Sequence, residues 1–354
     1  YTSPHLKNVK ERIAFKDKKR GHYLCAADIF EKEAGRLRRL MKKNGIRLTY
    51  FEFLTALAFL IFRREKVRAA VIETGLGGRL DATNVVYKRK LLNIITSISK
   101  EHTSFLGNTL VKILGEKEKI AARGELVVSL KRGGLKKHIK AYKKSVIFAD
   151  EEYGYTGGEV LSDKMRVYNF SGKSGLITIK TRMIENVQAE NIRSVLAGID
   201  VLRKKGFKIS PEAAVEGIGQ TEIPGRLRYD KRGFFISVAH NPDAVDAALK
   251  TLRSLYGDRK IIYVFSGMAD KDFDGIFRAM AKAGNIRVVL TKIDNPRAAE
   301  IPAMQRYLEK YGIKYYIEED NSKALEKGLK IKGRGVMAAG GSFYLAGAYM
   351  RRGF

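Results

Sequence analysis

The chain has 354 residues, 45% of them apolar and 30% charged, which suits two domains of ordinary size and excludes wholesale disorder. Lys and Arg number 68 against 38 Asp and Glu, a net charge of +30 at pH 7. The basic residues are spread along the whole chain, with no helix-turn-helix, zinc-finger or RNP-like pattern, so nucleic acid is not the expected partner. A basic surface also suits a substrate carrying several carboxylates or phosphates. The lone cysteine, Cys25, excludes an intrachain disulfide and a CxxC metal knuckle and fits a reducing cytoplasm. The longest apolar stretch, Phe51 to Phe62, is interrupted by Glu52 and Thr55 and falls short of the ~18 residues of a membrane span. No secretory leader is recognisable. The chain opens on Tyr1 rather than Met, and YTSPHL reads as mid-domain sequence, so the natural start is expected upstream.

Glu31 to Lys43 carries Leu37, Leu40 and Met41 at helical spacing, and Tyr50 to Glu65 is a strongly apolar helix. Val67 to Gly75 reads as a buried strand entering a Gly-rich turn, and Leu91 to Ser99 as a second strand. Thr109 to Ala122 is expected to be helical, with strands at Glu125 to Leu130 and Ser145 to Ala149. Strand then helix, repeated, predicts a parallel sheet with helices on both faces. Asp150 to Arg182 turns short, polar and Gly-rich, with GLITIK as a strand, and suggests a small antiparallel addition. Asn186 to Lys204 is a long helix, followed by a linker holding Pro211, Gly217, Gly219 and Ile223-Pro224-Gly225-Arg226. The alternation then restarts. Strands are expected at Phe234 to Ala239, Lys260 to Gly267, Ile286 to Ile293, Lys314 to Glu319 and Gly335 to Gly341. Helices between them span Ala244 to Tyr256, Phe273 to Ala283, Arg297 to Tyr311 and Asn321 to Lys330. The IPGR linker divides a first domain, 1–222, from a second, 223–354.

Ligands of parallel α/β sheets bind beyond the carboxyl ends of strands. After the first strand stands Glu73-Thr74-Gly75-Leu76-Gly77-Gly78, where glycines let backbone approach a ligand and Glu73 offers oxygen to a hard cation such as Mg²⁺. After the second stands His102, and the following helix carries Lys117. Glycines after a strand also serve plain tight turns, a lone His is often a satisfied side chain, and a helix lysine is usually solvated. From these residues alone both readings stay open.

The segments TSPHL, TYFEFLTALAF, IETGLGGRLDATNVV, ITSISKEHTSFLG, GEKEKI, IPGR, VAHNP, GMADKD, NPRAA and GGSFYLAG occur in this order over nearly the whole chain. With them the sequence resembles the folylpolyglutamate synthase and dihydrofolate synthase family of the Mur ligase superfamily. The resemblance implies an α/β fold: a Mur-ligase-like central nucleotide-binding domain, then a Rossmann-like C-terminal domain that binds glutamate. It implies an ATP-dependent amide ligase that joins L-glutamate to folate or dihydropteroate through an acyl phosphate, in folate biosynthesis and one-carbon metabolism. Ser3, Glu73 and His102 match Mg²⁺ ligands, and Lys117 matches a lysine that is carbamylated and able to hold a second Mg²⁺. Thr49, Tyr50, Phe51 and Glu52, with Leu80, Asp81 and Ala82, match stretches that contact the pteroate substrate. Asn191 and Arg226 match nucleotide contacts. His240, Asn241 and Ser342 match the side where glutamate is expected. The partners are then small molecules, and the expected enzyme is a cytoplasmic monomer.

Departures from the family pattern are also legible. No G-x-x-G-K-[ST] phosphate loop occurs in these residues, and the first domain is expected to lack that unit. Ser171-Gly172-Lys173-Ser174 contains Gly-Lys-Ser, but Val167 stands where the pattern wants glycine, so it reads as a loop. Asp-His becomes Glu101-His102, and Lys-Ala-Gly-Ile becomes Lys117-Glu118-Lys119-Ile120. In the stretch Ile236 to Pro242, Ser237 replaces an aspartate that is a nucleotide contact in the family. A hydroxyl does not supply a carboxylate's charge, so ATP affinity or acceptor choice is expected to differ. Two other readings compete: a non-catalytic relative that binds a partner or polyanion, and the same chemistry on another acidic acceptor.

Overall fold

The computed structural model describes residues 1–351 except 18, 20, 86–89, 101, 131–132, 144, 162–163 and 174, and the side chain of 104. The chain divides into two units, residues 1–126 with 134–145, and residues 127–133 with 146–354.

The first unit opens with an antiparallel hairpin, β1 (Ala14–Asp17) and β2 (Gly21–Leu24), that the sequence pattern had not suggested. Helices α1 (Ala27–Lys43) and α2 (Tyr50–Arg64) follow. Helix α2 starts at Thr49 through a reciprocal cap: Thr49 Oγ1 accepts from the Glu52 N–H, and Glu52 Oε2 accepts from the Thr49 N–H at 2.7 Å. The Thr49 N–H, and after it the Thr49 hydroxyl, hold the Glu52 carboxyl below its ordinary range. The buried stripes are Ala34 and Leu37 on α1 and Leu54, Leu57, Ala58 and Ile61 on α2, spaced three and four apart, and they pack with Ile13 and Cys25. Leu40, expected on this face, is instead exposed.

Cys25 sits inside that cluster at 3% exposure, and burial, followed by the charges of Glu65 and Asp28, pushes its thiol up to about 11. At pH 8 only about a thousandth is thiolate, the reactive form. A thiol reagent such as DTNB is therefore expected to leave the native protein unlabelled at pH 8 and to titrate one thiol in denaturant. Rapid native labelling would contradict this packing.

Among the described residues, 67–75 take part in no ladder. Tyr1 N donates to Val71 O at 2.8 Å and Glu73 N to Tyr1 O at 2.9 Å, too few bonds to register a strand, and Val71 is 90% exposed. The strand expected at Val67 to Gly75 is corrected accordingly. The first unit continues with β3 (Leu92–Ile95), α3 (Thr103–Leu106) and α4 (Leu110–Lys117). The expected long helix breaks after Lys117 into a 3-10 turn, Glu118–Ala121. Strand β4 (Glu125–Val128) precedes α5 (Gly133–Tyr142), a helix not foreseen, which buries Leu135 and Ile139 four apart.

The second unit holds β5 (Val146–Phe148), α6 (Ala149–Glu152) and the antiparallel addition β6 (Gly154–Gly157), β7 (Arg166–Gly172) and β8 (Gly175–Thr181), in the order β6-β7-β8. Gly172 pairs with Gly175, so the Gly-Lys-Ser stretch lies at a hairpin turn and not between a strand and a helix, although Ser174 is outside the described residues. Helix α7 (Gln188–Lys204) is followed by α8 (Pro211–Gly219), which replaces the first part of the expected linker. Ser210 caps α8, and Pro211 occupies its first turn, where no N–H is needed.

The alternation then runs β9 (Arg228–Asp230), β10 (Phe234–Ser237), α9 (Pro242–Tyr256), β11 (Ile261–Phe265), α10 (Phe273–Ala283) and β12 (Ile286–Leu290). It ends with α11 (Ile301–Lys310), β13 (Lys314–Ile317), α12 (Asn321–Lys332), β14 (Val336–Gly340) and α13 (Phe343–Arg351). The six strands order as β13-β12-β11-β14-β10-β9, all neighbouring pairs parallel except β9 with β10. Strands β11 and β14 are buried at every position, the continuous apolar run of a sheet covered on both faces. No helix of the described residues is long and apolar enough to cross a membrane.

Candidate functional site

In the first unit, the extended segment delivers Glu73 beside the chain's opening residues. Its Oε2 accepts from the Ser3 N–H at 2.7 Å and from the Thr2 hydroxyl. Ser3 and Glu73 are thus brought together, while Glu73 Oε1 is left without a bond among the described residues. His102 opens α3 with φ 50° and ψ 37°, exposed and without a capping bond. No hydrogen bond or ion pair joins His102 to Glu73, and Glu101 lies outside the described residues. Among the described residues no three His, Cys, Asp or Glu side chains gather as a metal cluster.

The Gly-rich loop after Glu73 is ordered by Asp81, which is 8% exposed. Asp81 Oδ2 accepts from the N–H groups of Gly75 (3.0 Å) and Leu76 (2.8 Å), and Oδ1 from the Thr83 N–H (2.9 Å) and hydroxyl (2.5 Å). Two glycines are required by close approach. A Cβ on Gly75 would stand 2.3 Å from the Phe51 ring. One on Gly78 would stand 2.8 Å from both the Glu116 and Lys117 carbonyl oxygens. The loop therefore lies directly on the α4 end that carries Lys117, and Arg79 Nε clips it to Glu116 at 3.3 Å. Beside Lys117, the buried Glu118 has Lys119 Nζ at 3.6 Å and His138 Nε2 at 3.4 Å.

The expected pteroate-contacting residues fall into two groups. Tyr50 (60% exposed) and Leu80 (82% exposed) present open surface, with the Arg12 guanidinium 5.6 Å from the Tyr50 ring centre. Phe51 packs on Gly75, and Ala82 opens a 3-10 turn, Ala82–Val85. Thr49, Glu52 and Asp81, by contrast, spend their polar atoms on the helix cap and on the loop.

In the second unit, Ser237 ends β10 opposite Gly340 of β14, and its buried hydroxyl accepts from the Ala239 N–H at 3.2 Å. His240 Nδ1 lies 2.8 Å from Val238 O, and its ring is 5.6 Å from that of Phe343. Asn241 caps α9 by accepting from the Ala244 N–H at 2.8 Å, and Ser342 accepts from the Leu345 N–H at 3.1 Å at the start of α13. Ser237, His240, Asn241 and Ser342 are therefore gathered at the carboxyl ends of two adjacent parallel strands, where such sheets bind ligands.

Asn191 and Arg226 both bear on Glu185. Asn191 Nδ2 donates to Gln188 Oε1 at 2.9 Å, and Gln188 Nε2 to Glu185 Oε2 at 3.5 Å. Burial raises the Glu185 carboxyl above its ordinary range, and the Arg226 charge opposes the rise.

Residues 225–341 match the family described as Mur ligase, glutamate ligase domain. The dihydrofolate synthase/folylpolyglutamate synthase of Mycobacterium tuberculosis is 30% identical over 332 residues, covering 86% of this chain and 66% of that protein. The chain thus spans about two thirds of that relative's length. The Bacillus subtilis protein of the same description is 29% identical, covering 84% of this chain and 71% of its own. A solved Mycobacterium tuberculosis folylpolyglutamate synthase complexed with ADP superposes with a TM-score of 0.85 at 26% identity, covering 99% of this chain and 82% of that one. The chain belongs to the folylpolyglutamate synthase/dihydrofolate synthase family of the Mur ligase superfamily.

As a member of that family, the chain has the expected α/β architecture, and the domain match begins at Gly225, inside the IPGR linker. Four residues of the two clusters were missed in the sequence. Thr2 and Gly78 stood inside quoted motifs, but their roles depend on contacts some 70 and 40 positions away. Glu185 and Gln188 could have been suspected from polar side chains just before and at the start of a helix whose inner face is buried.

Proposed function

We propose that this chain carries the catalytic body of an ATP-dependent ligase that adds L-glutamate to folate, to dihydropteroate, or to both. The observation that carries the reading is the Glu73 carboxylate, oriented by Ser3 and Thr2, beside a Gly-rich loop that Asp81 orders and that rests on the Lys117 turn. Residues 1–222 supply this part, and residues 223–354 supply the strand ends where glutamate is taken up. The enzyme is read as a cytoplasmic monomer, as one buried thiol without a disulfide allows.

A carboxylate is a poor electrophile because its leaving group would be oxide. In the proposed reaction an acceptor carboxylate oxygen attacks the γ-phosphorus of ATP and ADP leaves. The glutamate amine then attacks the acyl carbon, loses a proton, and phosphate departs. Glu73 Oε1 and the Ser3 hydroxyl are hard oxygen donors on an exposed rim, and this donor set fits Mg²⁺, with His102 as the third expected ligand. When bound, Mg²⁺ would offset the charge of the triphosphate. A carbamate on Lys117 would turn a cation into an anion able to hold a second Mg²⁺. Asn191 and Arg226 would hold the nucleotide, and Ser237 stands where the family pattern has a carboxylate. Tyr50, Phe51 and Leu80 offer apolar surface to a flat ring.

The test is glutamate-dependent ADP release by the full-length protein with dihydropteroate or folate as acceptor; no turnover with either would reject the reading. Lys117→Ala is expected to lower kcat about 10³-fold. Added formate or acetate should restore part of it by supplying the missing carboxylate. Loss without rescue at any concentration would remove the carbamate from the scheme.

A further inference from the structure

The strongest unassigned feature is the chain of side chains Glu185, Gln188 and Asn191: Gln188 and Asn191 share one face of the first turn of α7, and Glu185 lies in the turn just before it. Glu185 is 4% exposed and Gln188 2% exposed, and Asn191 is half-buried. A carboxylate has only acceptors, while a carboxamide has one accepting and one donating end. Gln188 must therefore turn Nε2 toward Glu185 Oε2, which it does at 3.5 Å. Its Oε1 then faces the other way and can only accept. Asn191 answers with Nδ2 at 2.9 Å. With Glu185 ionised, as the Arg226 charge favours, the order of donors follows from the carboxylate and does not depend on telling amide oxygen from nitrogen. Asn191 is left with Oδ1 and one N–H, and neither has a protein partner among the described residues.

We propose that Glu185 is a positioning residue which, through Gln188, fixes the polarity of the Asn191 carboxamide and so makes the nucleotide site select a 6-aminopurine over a 6-oxopurine. The inference rests on the reading of Asn191 as a nucleotide contact. A carboxamide pairs bidentately with adenine, whose exocyclic amine donates beside an accepting ring nitrogen. A free asparagine can flip and offer its N–H to a 6-oxo group instead. The relay removes that freedom, because a flipped Asn191 would set two acceptors, its own Oδ1 and Gln188 Oε1, against each other. The Glu185 backbone is itself held: the Gln188 N–H donates to Glu185 O at 2.9 Å, and the buried Tyr168 hydroxyl shares its proton between Met183 O at 2.7 Å and Glu185 O at 2.8 Å. A buried carboxylate is costly to desolvate, and orienting the amide gives it a use at this position.

The test compares ADP with inosine diphosphate, which differ by one amine-to-oxo exchange at C6, by calorimetric titration of the full chain and by the KM values of the triphosphates. In Glu185→Gln the new amide can present an N–H or an oxygen to Gln188, so the preference for ADP should fall roughly tenfold. In the double variant Glu185→Gln with Gln188→Glu the carboxylate moves one step along the relay. Asn191 must again donate, and the preference should return to within about twofold of the parent. A merely structural role predicts no such return. If Glu185→Gln fails to fold, the double variant, which keeps the same charge, decides alone: an ADP preference tenfold below the parent overturns the relay. Asn191→Ala separates the two levels. If it leaves both diphosphates bound as before, the underlying reading of Asn191 is wrong. If it weakens ADP while Glu185→Gln leaves the preference unchanged, only the relay is wrong.

Discussion

Asp81→Ala is expected to lower ligase kcat/KM roughly 100-fold and to destabilise the first unit by about 3 kcal/mol. The carboxylate is buried and accepts from Gly75, Leu76 and both donors of Thr83. Hydrogen bonds to a charged group are worth more than neutral ones, and removing the acceptor leaves each donor to find another partner. Gly75 and Leu76 are exposed, so water recovers part of their loss, whereas buried Thr83 is not so relieved. The catalytic effect outweighs the stability effect because the loop runs from Glu73 to the Lys117 turn, and a shift of about 1 Å in such a segment costs on the order of 10²-fold in rate. Asp81→Asn has nearly the same size but meets three backbone N–H groups, spread over both carboxylate oxygens, with a group that is half donor. It should be almost as impaired. Steady-state kinetics and thermal denaturation check both variants, and Asp81→Asn retaining more than half the parent rate would sink the scaffold role.

How much of this was legible beforehand depended on how local the cause was. The second half could be read strand by strand because β11, β12 and β14 are nearly unbroken apolar runs separated by capped, amphipathic helices. Pattern failed where long-range contacts decide. Val67 to Gly75 has the composition of a buried strand, yet it takes bonds only from scattered partners and exposes Val71. The region around Pro211 looked like linker because proline and glycine are turn residues, but Pro211 sits in the one helical turn that tolerates it, behind the Ser210 cap. The hairpin β1–β2 and helix α5 are short and weakly patterned, and tertiary packing decides them.

The site shows the same division. Glu73, Lys117 and the strand-end group His240, Asn241 and Ser342 stood out because they follow expected strands or sit in ordered motifs, and the structure brings Ser3 to Glu73 and His240 to Phe343. Which polar atoms are already spent was not readable. Thr49 and Glu52 cap a helix, Asn241 caps another, and Asp81 orders a loop, so their side chains act through the backbone they hold. A sequence names residue types, while hydrogen-bond satisfaction is a property of the folded arrangement.

Gly78→Ala carries the second large effect, and here the cause is steric. The added methyl would lie 2.8 Å from two carbonyl oxygens, of Glu116 and Lys117, and 3.0 Å from the Ile120 nitrogen. All three are backbone atoms at the junction of α4 with its 3-10 turn, so no side chain can rotate out of the way. Either the loop lifts from the helix end or the helix end unwinds, and both move Lys117 relative to Glu73. The expected result is a fall in kcat of roughly 100-fold or more, with a destabilisation of about 2 kcal/mol from the overpacked contact. Gly134→Ala is the matching control. It lies in α5 with nothing within 4 Å of its added methyl, so it should leave the rate unchanged and raise stability by about 0.5–1 kcal/mol through helix propensity. The Arg79–Glu116 clip spans the same contact but is half-exposed, and Arg79→Ala should cost less than about 1 kcal/mol. The order Gly78→Ala far below Arg79→Ala in activity distinguishes close backbone approach from ion pairing as the bond between loop and helix. Equal losses in the two variants would assign that bond to charge instead.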